Sequence, residues 1–393
     1  MIDTHLFNAQ EWSRYARHIQ LPQVGASGQA TLKQSRVLIV GAGGLGAPVS
    51  LYLAAAGIGQ LTIIDHDTVE LSNLQRQITF NENDLGLNKA QQAKEHLHTL
   101  NSDINIEAIG QRLETSNAVA LIAKHDLVVD CTDNFTTRYL INDCCHHLSI
   151  PWCFASIHQF SGQLAMFTPE SACFRCLFPS APEQPQNCND AGVLGVLPGL
   201  LGTLQATQVI KYLLSIGNKP DNQLLIVDAL ALDFKSIKLK QSQHCAVCHE
   251  QRLDKNYKPS LKNIDAEISK SVTTEANSHE AEISPQDWLQ LKDSKPHVLL
   301  DVRSHDERRF FHIGGEHLPV EQFINRKEMD ENDTHLLDLI KSKLPHDRLI
   351  VCYCQSGSRS LKVQQVLTDL GLNAVSLAGG LNAYCSLISA EKK

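Results

Sequence analysis

The chain has 393 residues, of which 42% are hydrophobic, so its length predicts two or three domains and its composition allows a sizeable core. Its formal net charge of −8 argues against general binding to nucleic acid or to membrane surfaces, which both require a basic face. The 12 cysteines are expected to be metal ligands, catalytic thiols or core residues, because the chain shows no sign of secretion.

The N-terminal segment gives no targeting signal. Residues 1–10 lack the basic start and the apolar run of a signal peptide. No apolar stretch reaches the length of about 18 residues that a membrane-spanning helix needs. We therefore predict a cytoplasmic protein.

The first half of the chain alternates buried strands with helices. The apolar run RVLIV at 36–40 is typical of a buried parallel strand, and it leads through GAGGLG at 41–46 into a helix of small residues at 47–56. This alternation predicts an α/β fold with a doubly wound, Rossmann-like parallel sheet. The other predicted elements of this half are strands at 60–65, 104–109 and 126–131 and a helical stretch near 116–124.

Four later apolar segments have strand character but lack a full helix between each pair. Because antiparallel strands can be joined by short turns, these segments predict a mixed or antiparallel extension of the sheet. A long helix is predicted at 197–214. The four segments lie at 152–157, 163–167, 224–228 and 234–239.

The composition changes after residue 249. Lys, Asn, Ser, Thr and Glu dominate residues 250–282, which predicts a solvated linker. Strand-like runs at 298–302 and 349–354 and a helix-like run at 358–369 then predict a small α/β domain. We therefore divide the chain into a nucleotide-binding domain, a linker and a second domain, at 1–249, 250–282 and 283–393.

Three glycines mark a nucleotide site. Gly41, Gly43 and Gly46 form a G-x-G-x-x-G between a strand and a helix, where the backbone can approach phosphate and the helix N-terminus attracts negative charge. Asp65 ends the next strand, where a carboxylate can bind ribose hydroxyls. By themselves these residues fit a dehydrogenase that binds NAD as well as they fit another nucleotide-binding enzyme.

The charges that follow favour a polyphosphate over NAD. Arg76 lies in the SNLQRQ segment, Lys89 follows a Gly-Leu-Asn turn, and Asp133 precedes Asn134 after a predicted strand. Two cations suit a polyphosphate and a carboxylate suits Mg²⁺, whereas a nicotinamide nucleotide does not require this set. The alternative is that Arg76 and Lys89 are ordinary solvated surface charges.

Together these motifs resemble the adenylation domain of MoeB/ThiF proteins, the bacterial relatives of ubiquitin-activating enzymes. The resemblance runs from about residue 14 to residue 248. It rests on RYAR at 14–17, GAGGLG, DHD at 65–67, SNLQRQ at 72–77, Lys89 and DCTDN at 130–134.

The resemblance implies ATP as the nucleotide and gives the matching residues their roles. Asp65 is expected to bind ribose, and Arg76 and Lys89 to contact phosphates. Asp133 is expected to hold Mg²⁺, and Arg17 to reach the ATP in the other subunit of a homodimer. The remaining nucleotide-binding positions are Gly41, Gly43, Gly44, Gly46, Ser72, Asn73 and Asn134.

Two C-x-x-C pairs predict a metal site. Cys173 with Cys176, and Cys245 with Cys248, supply four thiolates, which suit a closed structural Zn²⁺ site. MoeB/ThiF proteins carry such zinc-binding pairs in these places. The rival interpretation is a redox-active pair, which we disfavour because neither pair opens a helix after a strand in a thioredoxin-like setting.

Cys188 is a second kind of cysteine. It lies in a polar segment ahead of a long predicted helix, where a lowered thiol pKa would favour a nucleophile. It matches the family position that forms a thioester or acyl disulfide in some members and is dispensable in others. A passive loop cysteine is the alternative. Six further cysteines are predicted to be small core residues: Cys131, Cys144, Cys145, Cys153, Cys352 and Cys385.

The loop CQSGSR at 354–359 follows a strand and leads into a helix. Backbone N–H groups of such a loop stabilise a thiolate or persulfide on Cys354, and Arg359 would add positive charge. With LDVR at 300–303, HIGGEHLP at 312–319 and AGGLNAY at 378–384, the loop resembles the rhodanese domain, over about 283–389.

The rhodanese resemblance implies that Cys354 carries a persulfide and that Asp301 and Arg303 are structural. One departure is HIGGE at 312–316, where many rhodaneses have Gly-Ala; it touches the scaffold and not the nucleophile. The alternative is an inactive, rhodanese-like regulatory module.

These resemblances predict an enzyme that adenylates the C-terminal glycine of a ubiquitin-like sulfur-carrier protein of the MoaD or ThiS type and then transfers sulfur to form a thiocarboxylate. A cysteine desulfurase or another donor would supply the sulfur. Molybdopterin or thiamine biosynthesis is the expected pathway, and tRNA thiolation stays open. The alternatives are an NAD-dependent dehydrogenase, a non-catalytic carrier-binding scaffold and a ubiquitin-type activating enzyme.

Overall fold

The computed structural model of the chain divides into two units, Met1–Leu261 and Lys262–Lys393. Residues 249–280, which include nearly all of the predicted linker, lie outside the described residues. The structure describes residues 7–181, 192–218, 222–245, 247–248, 281–292, 296–324, 340, 343–344 and 347–390.

The first unit is built on an eight-stranded sheet of order β3-β2-β1-β4-β5-β6-β7-β8. Strands β1 to β5 run parallel, and β6, β7 and β8 continue the sheet as antiparallel neighbours. The predicted doubly wound, mixed sheet is therefore confirmed. The strands are β1 (Arg36–Val40), β2 (Gln60–Ile64), β3 (Asn105–Ile109), β4 (Leu127–Asp130), β5 (Trp152–His158), β6 (Ser161–Phe167), β7 (Gln223–Asp228) and β8 (Asp233–Lys238).

Helices cover the sheet and close the core. On the central strand β1, Val37, Leu38 and Ile39 are fully buried, as the run of apolar residues predicts. Helices α3 and α8 pack closely because Gly202 has no side chain; a Cβ there would lie 2.6 Å from the carbonyl oxygen of Leu45. The helices are α1 (Ala9–Ile19), α2 (Gly25–Gln34), α3 (Gly46–Ala56), α4 (Lys89–Leu100), α5 (Ala118–Ile122), α6 (Phe135–Leu148), α7 (Phe174–Leu177) and α8 (Val196–Leu214).

The strand order reverses direction at β1, which has β2 on one side and β4 on the other. In open α/β sheets, ligands bind at the carboxyl ends of the strands beside such a reversal. The loops that follow β1, β2 and β4 all leave the sheet at this edge. The fold therefore places GAGGLG, Asp65 and Asp133 on the same side of the sheet.

The second unit has a five-stranded parallel sheet of order β11-β10-β12-β13-β9. This is the small α/β domain that the sequence predicts, and Cys354 directly follows β12. Its strands are β9 (Glu282–Ile283), β10 (His297–Asp301), β11 (Glu316–His317), β12 (Leu349–Tyr353) and β13 (Ala374–Leu377). Its helices are α9 (Pro285–Leu291), α10 (His305–Phe310), α11 (Glu321–Ile324), α12 (Ser358–Asp369) and α13 (Gly380–Ala390).

One prediction about the cysteines is wrong. Cys385 is exposed on α13 because it lies on the outward face of that helix, which apolar composition alone does not reveal. The other five predicted core cysteines are buried: Cys131, Cys144, Cys145, Cys153 and Cys352. Among the described helices, none is long and apolar enough to cross a membrane.

Candidate functional site

The glycine loop after β1 touches the loop after β4. Gly41 has a φ of 96°, and a Cβ at this position would lie 2.8 Å from the carbonyl oxygen of Cys131. Glycine therefore satisfies both the backbone conformation and the close approach. A side chain at Gly46 would likewise strike the carbonyl oxygen of Gly41. The two loops are thus fixed against each other at the strand ends.

Asp65 joins the end of β2 to the glycine loop. Its Oδ2 accepts a hydrogen bond from the N–H of Ala42 at 2.7 Å, and its Oδ1 accepts one from the N–H of Asp67 at 2.8 Å. Burial raises the pKa of Asp65, while these hydrogen bonds act in the opposite direction. Each carboxylate oxygen retains acceptor capacity for a ribose hydroxyl.

The two predicted cations lie against this framework. Arg76 is half-buried and covers Gly44, where a Cβ would lie 3.5 Å from its Cγ; its Nη1 donates to the carbonyl oxygen of Ser72 at 3.0 Å. Lys89 begins α4 and is buried, with its Nζ 3.2 Å from Oδ2 of Asp67. Lys89 is therefore not an ordinary solvated charge.

The remaining polar positions shape the loops. Asn134 caps α6, since its Oδ1 accepts the N–H of Thr137 at 2.8 Å, and the neighbouring Asp133 is exposed. Asn73 is buried, and its Oδ1 accepts the N–H of Glu70 at 3.3 Å, which tightens the turn that carries Arg76.

Arg17 has no contact with the glycine loop among the described hydrogen bonds. It is exposed on α1, and its Nη1 donates to Oε1 of Gln20, the residue that follows the helix, at 3.5 Å. Cys188 lies outside the described residues, so its predicted role stays a prediction.

Sequence reasoning missed two residues near the carboxyl ends of the central strands. Asp67 forms the ion pair with Lys89, and its place two residues after Asp65 gave no signal of that partner. Gln205 on α8 is fully buried, and its Nε2 donates to the carbonyl oxygens of Asp130 at 2.8 Å and of Cys153 at 3.4 Å. No sequence signal distinguished Gln205 from Gln208, which lies on the same helix.

The four predicted zinc ligands meet in one cluster. The Sγ atoms of Cys173 and Cys245 are 3.5 Å apart, those of Cys176 and Cys248 are 3.3 Å apart, and all four lie within 4.8 Å of one another. A tetrahedral site with Zn–S bonds of about 2.3 Å separates its sulfurs by about 3.8 Å. The N–H of Ser242 donates to Sγ of Cys176 at 3.3 Å, as an outer contact would.

The thiols of the cluster share hydrogen bonds. These bonds lower the pKa of Cys176 and Cys245 and raise the pKa of Cys173, which acts as the donor. Cys173 occupies the N-cap position of a helix, but that helix does not follow directly from β6, which ends at Phe167. That helix, α7, has only four residues, and the second pair lies against it, which favours a closed metal site over a redox pair.

We expect about one zinc per chain, the stoichiometry of a four-cysteine site, in the metal analysis of the purified protein. Cys176→Ser should lower both the zinc content and the melting temperature, because a structural metal contributes folding free energy. Cys144→Ser is the matched control, since Cys144 is a buried cysteine outside the cluster and should leave the zinc content unchanged. A metal-free protein with an unchanged melting temperature would contradict the assignment.

In the second unit, the loop after β12 encloses Cys354. The side chain is fully buried, and its Sγ accepts hydrogen bonds from the N–H of Gly357 at 3.1 Å and from the hydroxyl of Ser360 at 3.5 Å. Gly357 has a φ of 97°, which turns the chain directly into α12. Donors arranged around one sulfur at a helix start stabilise a thiolate or a persulfide anion.

Arg359 is paired within the domain. Its Nη1 and Nη2 donate to the carboxylate of Glu307 at 2.8 and 2.7 Å. Burial would raise the pKa of Glu307, but these bonds outweigh it and lower the pKa to about 2. The positive charge expected beside Cys354 is therefore offset. Sequence reasoning missed Glu307, although Ser304-x-x-Glu307 is a capping-box pattern.

Asp301 and Arg303 form a buried pair at the end of β10, where Asp301 lies opposite Tyr353 of β12. The Nε and Nη2 of Arg303 donate to the Asp301 carboxylate at 3.0 and 2.8 Å, and Nη2 also donates to the carbonyl oxygen of Phe311 at 2.7 Å. Both side chains are nearly inaccessible to solvent. This geometry agrees with the structural role expected of them.

Comparison with known families now identifies the first unit. The ThiF family matches residues 15–248, which cover more than half of the chain. They contain what we call the nucleotide edge: the glycine loop at 41–46, Asp65, Arg76, Lys89 and Asp133. The chain belongs to the ThiF family. A rhodanese-like domain matches residues 284–387, which contain the Cys354 loop.

Curated relatives match either nearly the whole of this ThiF-family chain or about two thirds of it. The adenylyltransferase and sulfurtransferase MOCS3 of Culex quinquefasciatus is 37% identical over 98% of this chain and 89% of its own length. The SAMP-activating enzyme E1 of Haloferax volcanii is 44% identical over 66% of this chain and 94% of its own length. These comparisons confirm the predicted enzyme class, an ATP-using adenylyltransferase with sulfurtransferase activity.

Solved structures agree with the ThiF fold. The crystal structure of E. coli MccB with ATP matches 60% of this chain and 74% of its own length, with a TM-score of 0.53 and 26% identity. The comparisons therefore favour the predicted adenylyltransferase over the NAD-dependent dehydrogenase.

Proposed function

We propose that this enzyme activates the C-terminal glycine of a ubiquitin-like sulfur-carrier protein as an acyl adenylate and converts it to a thiocarboxylate with sulfur held on Cys354. The observation that carries this proposal is the presence, in one chain, of a charged nucleotide edge and a cysteine enclosed by hydrogen-bond donors. The names of the relatives MOCS3 and SAMP-activating enzyme support a carrier protein as substrate.

In the first step, the carrier's carboxylate attacks the α-phosphorus of ATP and releases pyrophosphate. No side-chain nucleophile is needed, so catalysis consists of positioning and charge stabilisation. Arg76 and Lys89 would contact the phosphates, and Asp65 would hold the ribose. Asp133 offers the exposed carboxylate oxygens that suit Mg²⁺, which when bound would offset the phosphate charge.

In the second step, the terminal sulfur of a Cys354 persulfide attacks the acyl carbon of the adenylate. The C–O bond to AMP breaks, and the carrier and Cys354 are joined as an acyl disulfide. A second thiol then attacks the Cys354 sulfur, forms a new disulfide and releases the carrier thiocarboxylate. Cys188 is our candidate for that thiol. A cysteine desulfurase is the proposed source of the persulfide sulfur.

An apolar surface on the first unit supports a protein substrate. Leu230 and Leu232, in the turn between β7 and β8, are 72% and 75% exposed. Phe234 and Ile237 on β8 are also exposed, on opposite faces of the strand. Large apolar side chains exposed together in one turn, as Leu230 and Leu232 are, suit contact with a protein. We assign this surface to the carrier, of the MoaD or ThiS type, for molybdopterin or thiamine biosynthesis.

The adenylation proposal is tested by exchange of labelled pyrophosphate into ATP. We expect exchange only with Mg²⁺ and a carrier that ends in Gly-Gly, since the attacking group is the carrier's C-terminal carboxylate. The same carrier without its last glycine is the control. Exchange that proceeds equally without any carrier would overturn the proposal.

We further propose a homodimer in which Arg17 acts on the ATP of the other subunit. Mixing an Arg17→Ala subunit with a Lys89→Ala subunit should restore part of the exchange activity, because one of the two sites in the heterodimer regains both cations. Each variant alone is the control and should be nearly inactive. If heterodimers form without any rescue, Arg17 does not act across the interface.

A further inference from the structure

The loop that carries Asp133 is held by a buried ion pair. Asp130 at the end of β4 is fully buried, and Arg138 on α6 is 6% exposed. Oδ2 of Asp130 lies 3.3 Å from Nε of Arg138. Neither of these two atoms has a hydrogen-bond partner among the described residues.

Stability does not explain this pair. Removing two charges from water costs free energy that the attraction between them often fails to recover. Buried polar atoms without hydrogen bonds add a further cost. The pair therefore calls for an explanation other than the stability of the fold.

Both members of the pair hold the residue that precedes Asp133. Oδ1 of Asp130 accepts the N–H of Thr132 at 2.9 Å and its hydroxyl at 2.7 Å. Nη2 of Arg138 donates to the carbonyl oxygen of Thr132 at 2.7 Å. Two donors of Thr132, its N–H and its hydroxyl, and one acceptor, its carbonyl oxygen, are thus engaged by one ion pair.

Further contacts hold Arg138 and the far side of Asp133. The guanidinium of Arg138 lies over the rings of Phe135 and Phe154, at 5.6 and 5.3 Å from their centroids, which restricts its orientation. On the other side of Asp133, Asn134 caps α6. Asp133 is therefore an exposed residue between two neighbours, Thr132 and Asn134, whose positions are set by hydrogen bonds.

We infer that Asp130 and Arg138 are positioning residues, which hold Thr132 so that the Asp133 carboxylate faces the Mg²⁺–ATP complex. The inference rests on the proposed function, because it takes Asp133 as the residue that holds Mg²⁺. Outer residues that orient a metal-binding side chain commonly change metal affinity by about 10- to 100-fold when they are replaced. Arg138 acts through Thr132 and Asp133 and does not itself need to touch the nucleotide.

The test compares the affinity of a non-hydrolysable ATP analogue with and without Mg²⁺, measured by calorimetry on the full chain. Without Mg²⁺, Arg138→Met should bind the analogue with the same affinity as the wild type. With Mg²⁺, the affinity of Arg138→Met should be about tenfold lower than that of the wild type. Asp130→Asn, which keeps the side-chain volume, should show the same selective loss of affinity in the presence of Mg²⁺. It replaces Arg138→Met in the experiment if that variant does not fold.

Two controls separate positioning from general damage. Val129→Ala removes core volume from the neighbouring residue of β4, so it should destabilise the protein without a selective loss of the Mg²⁺ effect. Asp133→Ala should remove the Mg²⁺ effect itself. If Arg138→Met and Val129→Ala behave alike, or if Arg138→Met keeps the Mg²⁺ effect that Asp133→Ala loses, the positioning inference is overturned. If Asp133→Ala keeps it, the metal assignment of Asp133 fails, and the inference with it, while carrier-dependent exchange still tests adenylation.

Discussion

Lys89→Ala should reduce carrier-dependent pyrophosphate exchange by about 100-fold or more. Lys89 is a buried cation at the start of α4, close to the strand ends that hold Asp65 and the glycine loop. A preorganised charge in a site that excludes water stabilises developing negative charge strongly, and the loss of one such donor typically costs about 10²- to 10³-fold in rate. The measurement is the exchange rate at saturating ATP, Mg²⁺ and carrier.

The matched control is Lys94→Ala, a lysine further along the same helix α4. It should leave exchange close to the wild-type rate, because it lies away from the strand ends. Lys89→Ala also leaves Asp67 without its ion-pair partner, so melting temperatures of both variants must be compared. A folded Lys89→Ala protein with a wild-type rate would remove Lys89 from the adenylation site.

Cys354→Ala should abolish thiocarboxylate formation while carrier-dependent exchange continues. The first step uses no thiol, whereas the second needs a sulfur atom carried by a nucleophile. Cys354 is the cysteine whose sulfur accepts hydrogen bonds from Gly357 and Ser360. Mass spectrometry of the carrier after a single turnover with thiosulfate measures the product, as a replacement of oxygen by sulfur at its C-terminus.

Cys385→Ala is the control for this prediction, because Cys385 is the exposed cysteine of the same domain. It should leave thiocarboxylate formation intact. If Cys354→Ala still makes thiocarboxylate from thiosulfate, the sulfurtransferase role of Cys354 is wrong. In the same experiment, Cys188→Ala should accumulate the acyl disulfide on Cys354 if Cys188 is the resolving thiol.

Much of the fold could be read from short stretches of sequence. The run at 36–40 is apolar on both sides because β1 is covered on both faces, and its bounds are those predicted. The glycine pattern, the two C-x-x-C pairs and the CQSGSR loop were equally clear, since each depends on residues that are close in sequence or on residue types with restricted chemistry. The predicted zinc ligands indeed lie together.

Other properties depend on partners far away in the chain, which local patterns do not encode. Cys385 sits in an apolar stretch, yet its exposure depends on which face of α13 meets the sheet. Glu307 pairs with Arg359, 52 positions further along the chain, and this contact offsets the charge expected beside Cys354. Sequence spacing predicts neither the exposure of Cys385 nor the Glu307–Arg359 pair, because the packing of whole elements decides both.

By itself, the sequence determined which residue types make up the glycine loop with its charged neighbours, the four-cysteine cluster and the Cys354 loop, because each predicted chemistry restricts its ligands and nucleophiles to few side chains. The tertiary structure alone decided how those residues are held. It buries Lys89 beside Asp67, and it brings Asp130 and Arg138 together around Thr132. The physical reason is that charge state and orientation depend on burial and on hydrogen-bond partners, and both are set only when strands and helices pack.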